Sequence, residues 1–205
     1  MIFDFSEKIN TKGLKIIFSN DELGNNFISR DIFSMTQTHS TNLKIVNKKQ
    51  LVYENTDGIF SQNKNHILKI KTADCLPIFF LSNNFFGVVH AGWKGLKDGI
   101  ILESSKLIKN YVEDISKIEV FIGPSISKKN YEVQNEFIDY FGSEFIDEVD
   151  SKLFCDIKGI AKSQLQKLGL KNIIDSNQCT YDNDNYHSFR RDKTSKRMIG
   201  LIYYE

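Results

Sequence analysis

Two apolar runs, Pro77 to Leu81 and Phe85 to Val89, are separated by little more than the polar pair Asn83-Asn84. Runs of this length suit strands, and the short polar connection predicts a β-hairpin. The hairpin fixes what stands beside it. Cys75 precedes the first run and His90 follows the second, so a thiol and an imidazole emerge at one rim of a sheet. Metal sites are built in this way. Upstream, Thr36-Gln37-Thr38-His39-Ser40 supplies a second imidazole, and the candidate ligand set is His39, Cys75 and His90.

Strand patterns dominate the first half. Leu14 to Phe18 reads as a strand, Ser19 to Asn26 as a loop around Gly24, and Phe27 to Met35 as the approach to His39. Asn55-Thr56-Asp57-Gly58 is a turn signal, and His66 to Lys71 alternates as a strand leading to Cys75. After Gly95 the period changes. Leu96, Ile100, Leu107, Ile108 and Tyr111 share one face, which predicts a single helix, the longest of the chain. Lys117 to Ile122 follows as a strand, and Glu136 to Phe141 as a short helix stopped near Gly142. Asp156 is placed to cap a helix that buries Ile157, Ile160, Ala161, Leu165 and Leu168 and ends at Gly169. Ile173-Ile174 and Met198 to Tyr204 are the last strands expected. Strands first and helices interspersed later favour an α+β fold, with mixed β-sheets covered by helices, over a repeating parallel one.

A chain of 205 residues fits one domain spanning 1–205, long enough to bury a core without disulfide or metal staples. Twenty-seven basic residues against 26 acidic ones give a net charge of +1, and neither sign forms a long block. Nucleic acid and membrane surfaces are therefore not indicated as partners. No run approaches a membrane span, and Met1 to Asn10 lacks the basic start and apolar stretch of a leader, so a cytoplasmic location is expected. Three widely spaced cysteines read as reduced thiols. Cys155, in Leu153-Phe154-Cys155, suits a buried small hydrophobe, whereas Cys179 has no role assignable from its chemistry.

One cysteine and two histidines from separate segments would leave a fourth tetrahedral position open, the coordination of catalytic rather than structural zinc. No short ligand pair is present, however, so spacing alone leaves room for three unrelated residues. Asp74 adjoins Cys75 and is a candidate for proton transfer, with orienting a ligand or binding backbone as the alternative. Gln37 lies two residues from His39 and shares its face if the chain is extended; Asp57 reads as a turn former. Arg190, Arg191 and Arg197 could hold a phosphate through guanidinium groups, or form a solvated loop with Lys193 and Lys196. Trp93 is a candidate for stacking on a flat ligand, and Lys94 could supplement the anion site. His66 reads as structural or exposed.

The segments Thr72-Ala73-Asp74-Cys75-Leu76-Pro77 and Val88-Val89-His90-Ala91-Gly92-Trp93-Lys94-Gly95 resemble the signature of the multicopper polyphenol oxidase, or laccase-domain, family. Members are also described as zinc-dependent purine nucleoside phosphorylases with adenosine deaminase activity. The resemblance continues in Ile122-Gly123-Pro124-Ser125-Ile126, Tyr131-Glu132-Val133, Cys179-Thr180-Tyr181 and Ser188-Phe189-Arg190-Arg191-Asp192, with Arg197 beyond. It implies a layered sandwich, one zinc ion on His39, Cys75 and His90, and purine nucleosides (adenosine, inosine, methylthioadenosine) with phosphate as substrates. Three positions depart from the family pattern: Ser125 for a cysteine, Lys94 for an arginine, and Ser195-Lys196 before Arg197. Because some relatives are described as peptidoglycan editing factors, a cell-wall-precursor hydrolase is one alternative, and a non-catalytic zinc-binding module another. A polyphenol oxidase with copper would need more histidines than the four present.

Overall fold

The computed structural model describes residues 1–20, 30–47 and 49–205. In chain order its first strands are β1 (Ile2–Asp4), β2 (Leu14–Ser19), β3 (Ile32–Met35), β4 (Leu43–Ile45), β5 (Val52–Tyr53), β6 (Gly58–Ser61), β7 (Ile67–Thr72), β8 (Leu76–Leu81) and β9 (Phe86–Ala91). Helices α1 (Trp93–Asp98) and α2 (Ile100–Lys109) follow, then β10 (Glu119–Ile122), β11 (Glu132–Val133), α3 (Glu136–Phe141), β12 (Ile146–Val149) and β13 (Lys152–Cys155). The chain closes with α4 (Ile157–Lys167), β14 (Asn172–Asp175), α5 (Phe189–Asp192) and β15 (Met198–Tyr204).

These strands form two six-stranded mixed sheets, ordered β1-β2-β15-β7-β3-β5 and β14-β10-β8-β9-β6-β4, and a small sheet β11-β13-β12. The expected hairpin is the middle of the second sheet. β8 and β9 pair antiparallel from Leu76 opposite Ala91 to Leu81 opposite Phe86, and every residue of both strands is buried. Such a strand must be covered on both faces. Phe79, Leu81, Phe86 and Val88 face the first sheet, where they pack with Ile16, Phe18, Phe33, Leu68, Ile70 and Ile202. Rings carry much of this seam, with Phe18 edge-on to Phe79 at 5.7 Å and Phe5 against Phe121 at 5.5 Å. On the other face Ile78, Phe80 and Val89 meet Leu96, Ile100, Ile108, Ile160 and Leu165 from α1, α2 and α4. The architecture is the α+β layered sandwich expected, with these helices on the outer face of the second sheet. Each of the large apolar side chains so buried contributes on the order of 1.5–3 kcal/mol.

The single long helix expected after Gly95 is two. Gly99 adopts φ +94°, closing α1 and opening α2, so the apolar face continues but the axis breaks. A left-handed residue at a helix end is where glycine is favoured. α4, with 11 residues, is longer than either piece, and Asp156 caps it by accepting the Gly159 N–H at 2.8 Å. The loop expected over Ser19 to Asn26 and the start of the Phe27 to Met35 run lie mostly outside the described residues.

Candidate metal centre and adjoining pocket

The chain passes from the first sheet to the second between β7 and β8, and Cys75 stands in that crossing. Asp74 makes the turn with φ +86°, so the residue before the thiol is not extended. Opposite, His90 occupies the penultimate position of β9 across from Pro77. His39 arrives from the β3–β4 connection, itself left-handed at φ +61°. The ligand atoms of His39, Cys75 and His90 all lie within 4.8 Å of one another, the one such trio of its kind among the described residues. Cys75 Sγ is 3.7 Å from His39 Nε2. A tetrahedral zinc with bonds of about 2.3 Å to sulfur and about 2.0 Å to nitrogen would set that separation near 3.5 Å, so the donor set fits one such ion. Gly92 leaves the room: a Cβ there would lie 2.6 Å from the His39 ring and 3.2 Å from Cys75 Sγ.

One carboxylate organises two of the three ligands. Asp57, fully buried just before β6, takes the His90 Nδ1 at 2.8 Å, which leaves Nε2 for the cluster. The same carboxylate accepts the backbone N–H groups of Thr38 at 3.1 Å, His39 at 3.0 Å and Ser40 at 2.7 Å, as well as the Ser40 hydroxyl at 2.7 Å. Three successive amides converge on one anion only if the chain curls, which accounts for the left-handed His39. Burial works against a charged Asp57, yet the hydrogen bonds from His90 and Ser40 outweigh it and hold the carboxyl down at about 2. Burial likewise disfavours charge on His90, but Asp57 and then Cys75 lift it to about 9. Cys75 is desolvated too, and contacts with His39 and His90 bring its thiol down to about 6. That favours the thiolate at neutral pH, the form that binds metals.

The other sequence candidates fall at varied distances from this centre. Asp74 directs its carboxylate to the Thr180 hydroxyl at 2.6 Å and the Arg190 N–H at 2.7 Å, tying the Cys75 turn to α5. Gln37 pairs its side-chain amide with the Lys71 backbone, donating to the carbonyl at 2.8 Å and accepting the N–H at 2.9 Å. Arg191 gives its guanidinium to the carbonyls of Thr180, Tyr181 and Tyr186, each at 2.9 Å, and to Asp192. Arg197 is exposed and bonds the carbonyls of Thr194 and Lys196. Arg190 differs. Its guanidinium lies over the Tyr131 ring at 5.1 Å, donates to the Glu132 carbonyl at 2.7 Å, and lines a pocket of about 330 Å³ with Trp93, Tyr131, Val133, Gln134 and Phe137. Trp93 follows Gly92, so this pocket opens beside the ligand cluster, and Lys94 Nζ sits 5.6 Å from the indole. A larger cavity of about 710 Å³, bordered by Asn83, Tyr111 and Glu119, lies at the opposite ends of the same strands.

Sequence reasoning took Asp57 for a turn former and missed its hold on the histidines. The signal lay in register: β6 pairs with β9 so that Gly58 faces Val89, which sets Asp57 beside His90. His66 is structural, buried against Phe33 with Nδ1 2.9 Å from the Ser61 hydroxyl. Cys155 is fully buried, and Cys179 Sγ takes the Ser127 N–H at 3.3 Å where its backbone bridges Ser125.

A two-sheet sandwich presenting one thiolate and two imidazoles at the crossing between its sheets defines a protein that could hold a single metal ion beside an aromatic pocket. The chain belongs to the family described as multi-copper polyphenol oxidoreductase laccase, whose model matches residues 19–205. It is 36% identical over 203 residues to a purine nucleoside phosphorylase of Campylobacter jejuni, covering 97% of this chain and 86% of that one. A purine nucleoside phosphorylase of Aquifex aeolicus is 36% identical over 172 residues, covering 83% and 82%. Among solved structures, a Neisseria meningitidis protein superposes with a TM-score of 0.82 at 20% identity over 95% of each chain. YlmD of Geobacillus stearothermophilus gives 0.79 at 25% identity, covering 86% of this chain and 74% of that one.

Proposed function

We propose that this chain is a zinc-dependent purine nucleoside phosphorylase that also deaminates adenosine. The observation that carries the reading is the intact His39, Cys75 and His90 trio in a chain 36% identical, over 97% of its length, to a protein named purine nucleoside phosphorylase. His39 Nε2, Cys75 Sγ and His90 Nε2 would hold the ion. The chemistry gained from zinc with three protein ligands is an open fourth position and a water acidified toward neutrality.

The chain's own groups do the rest. Asp57 fixes the His90 tautomer and the curl of His39, so the donors converge before anything binds. In phosphorolysis, phosphate attacks the anomeric carbon, the C1′–N9 bond breaks, and its electron pair leaves with the base. Arg190 is the arginine placed to attract that phosphate, with Lys94 adding positive charge, while Trp93 forms a wall for the base. Arg191 and Arg197 serve by holding the loop that presents Arg190. Asp74 and Gln37 are positioning residues in this account, since Asp74 links the Cys75 turn to Arg190 and Gln37 splints β3 to β7 beyond its end. Deamination exchanges the amino group at C6 of adenosine for water's oxygen and releases ammonia.

Purified protein with counted metals is incubated with inosine, with and without phosphate, and the products are separated. Hypoxanthine and ribose 1-phosphate formed only with phosphate are expected, and adenosine should yield inosine in either condition. Hypoxanthine release independent of phosphate, or hydrolysis of cell-wall precursors in place of nucleoside cleavage, would overturn the proposal. The family's description favours a second reading, copper-dependent phenol oxidation. It requires oxidation to rise with copper loading while nucleoside conversion falls away.

A further inference from the structure

Tyr131-Glu132-Val133 is a motif that the metal centre does not use, although its tyrosine stands at the pocket beside that centre. We propose that Tyr131 is a specificity-determining residue whose hydroxyl donates a hydrogen bond to a ring nitrogen of a purine base seated between Trp93, Phe137 and Arg190. The inference rests on the nucleoside reading above and adds the residue that selects the base.

Four observations support it. The pocket, at about 330 Å³, falls at the small end of the range for ligand sites and is walled by aromatic rings, which suits one planar heterocycle. Tyr131 is half-buried, yet its hydroxyl donates no hydrogen bond to any described residue. A phenol in that position needs an acceptor, because leaving a desolvated O–H unpaired is costly. The ring itself is held: Phe137 meets it edge-on at 6.1 Å, the Arg190 guanidinium covers it at 5.1 Å, and its carbonyl accepts the Cys155 N–H at 3.0 Å. The hydroxyl stays protonated. Burial first, then the charges of Cys75, Cys155 and Asp74, push its pKa well above the usual phenol value, so it acts as a donor and not as a base. The walls also decide between ligands. The Arg190 guanidinium, already bonded to the Glu132 carbonyl, holds a bare phosphate poorly and takes it only beside a seated nucleoside, whereas three rings and one donor match a base.

Trp93 is the only tryptophan in the chain, so its emission reports on this pocket alone. Zinc-loaded protein is titrated with inosine, uridine and inorganic phosphate separately while tryptophan fluorescence is followed, and then assayed for phosphorolysis. Inosine should change the emission saturably, uridine much more weakly, and phosphate alone not at all. Tyr131→Phe should weaken the inosine titration and lower kcat/KM by about tenfold, the effect of one lost hydrogen bond, with metal content unchanged. Phe137→Leu, which leaves the hydroxyl in place, should weaken binding of inosine and keep the preference over uridine. Inosine turnover with silent emission, or with Tyr131→Phe matching the parent for both nucleosides, would overturn the pocket assignment and leave the activity standing. So would saturation by phosphate alone. A saturable inosine signal without turnover would support the pocket and remove the proposed activity, so the two failures are told apart.

Discussion

At the scale of single residues, Asp57 does the work of two. It holds His90 by the ring and His39 by the backbone, so its charge and its shape are separable contributions. Asp57→Asn keeps the shape but removes the charge and forces one amide to face the three backbone N–H groups as well as the His90 ring. We expect metal affinity to fall about 10- to 100-fold, measured by competition with a chromophoric chelator; an affinity equal to the parent's would exclude the carboxylate from the site. The thiols give a second expectation. In metal-free protein at pH 7, Cys75, lowered to about 6, should alkylate first, while Cys155, which burial pushes up to about 12, should alkylate last. Peptide mass mapping after timed iodoacetamide treatment reads the order, and prior loading with zinc should protect Cys75. The reverse order would show that the histidines do not stabilise the thiolate. The trio of His39, Cys75 and His90 was legible in the sequence because each sits in a compact motif, and the structure brings the three together. Asp57 and Tyr131 were not, since a carboxylate in a Thr-Asp-Gly turn and a tyrosine before a short strand acquire their neighbours only through pairing with segments distant in the chain.

At the scale of elements, the ion pairs that pin α4 to β14 carry a pH dependence. Burial would raise the Asp175 carboxyl, but the Lys158 charge and the Lys162 hydrogen bond prevail and lower it. Lys158 Nζ lies 3.1 Å and Lys162 Nζ 2.8 Å from its oxygens. A folded-state value below the unfolded one means the contribution is complete above the unfolded value of about 3.9 and is lost as pH falls through the folded value. Urea midpoints measured between about pH 6 and pH 3 should therefore drop more steeply for the parent than for Asp175→Asn. Parallel curves would assign Asp175 no net electrostatic part. The helices over Glu136 to Phe141 and from Asp156 onward were legible because glycine stops one and an aspartate caps the other. The break at Gly99 was missed because the apolar period runs through it unchanged: α1 and α2 bury the same face, and only the backbone shows two axes. The small β11-β13-β12 sheet was hidden for another reason, namely that its strands are short and mostly half-buried or exposed, with little alternation to read.

Across the whole molecule, the α+β class followed from the order of strand and helix patterns, whereas which sheet the helices would cover did not. That depends on β8, β9 and β10 being apolar on both faces, a property of the assembled sandwich. The crossing at Asp74 has a consequence in time. His39 leaves one sheet, His90 ends a strand of the other, and Cys75 stands where the chain changes between them, so no fragment that folds locally brings the three together. The trio exists only once the sheets have closed, so an ion held there as proposed would arrive at a finished protein instead of guiding its assembly. Refolding from urea should accordingly proceed at one rate with zinc or with chelator present, followed by tryptophan emission. Zinc added afterwards should slow unfolding, since the ion ties together parts that must separate first. A refolding rate that climbs with zinc concentration would mean that the ligands meet before the sheets do.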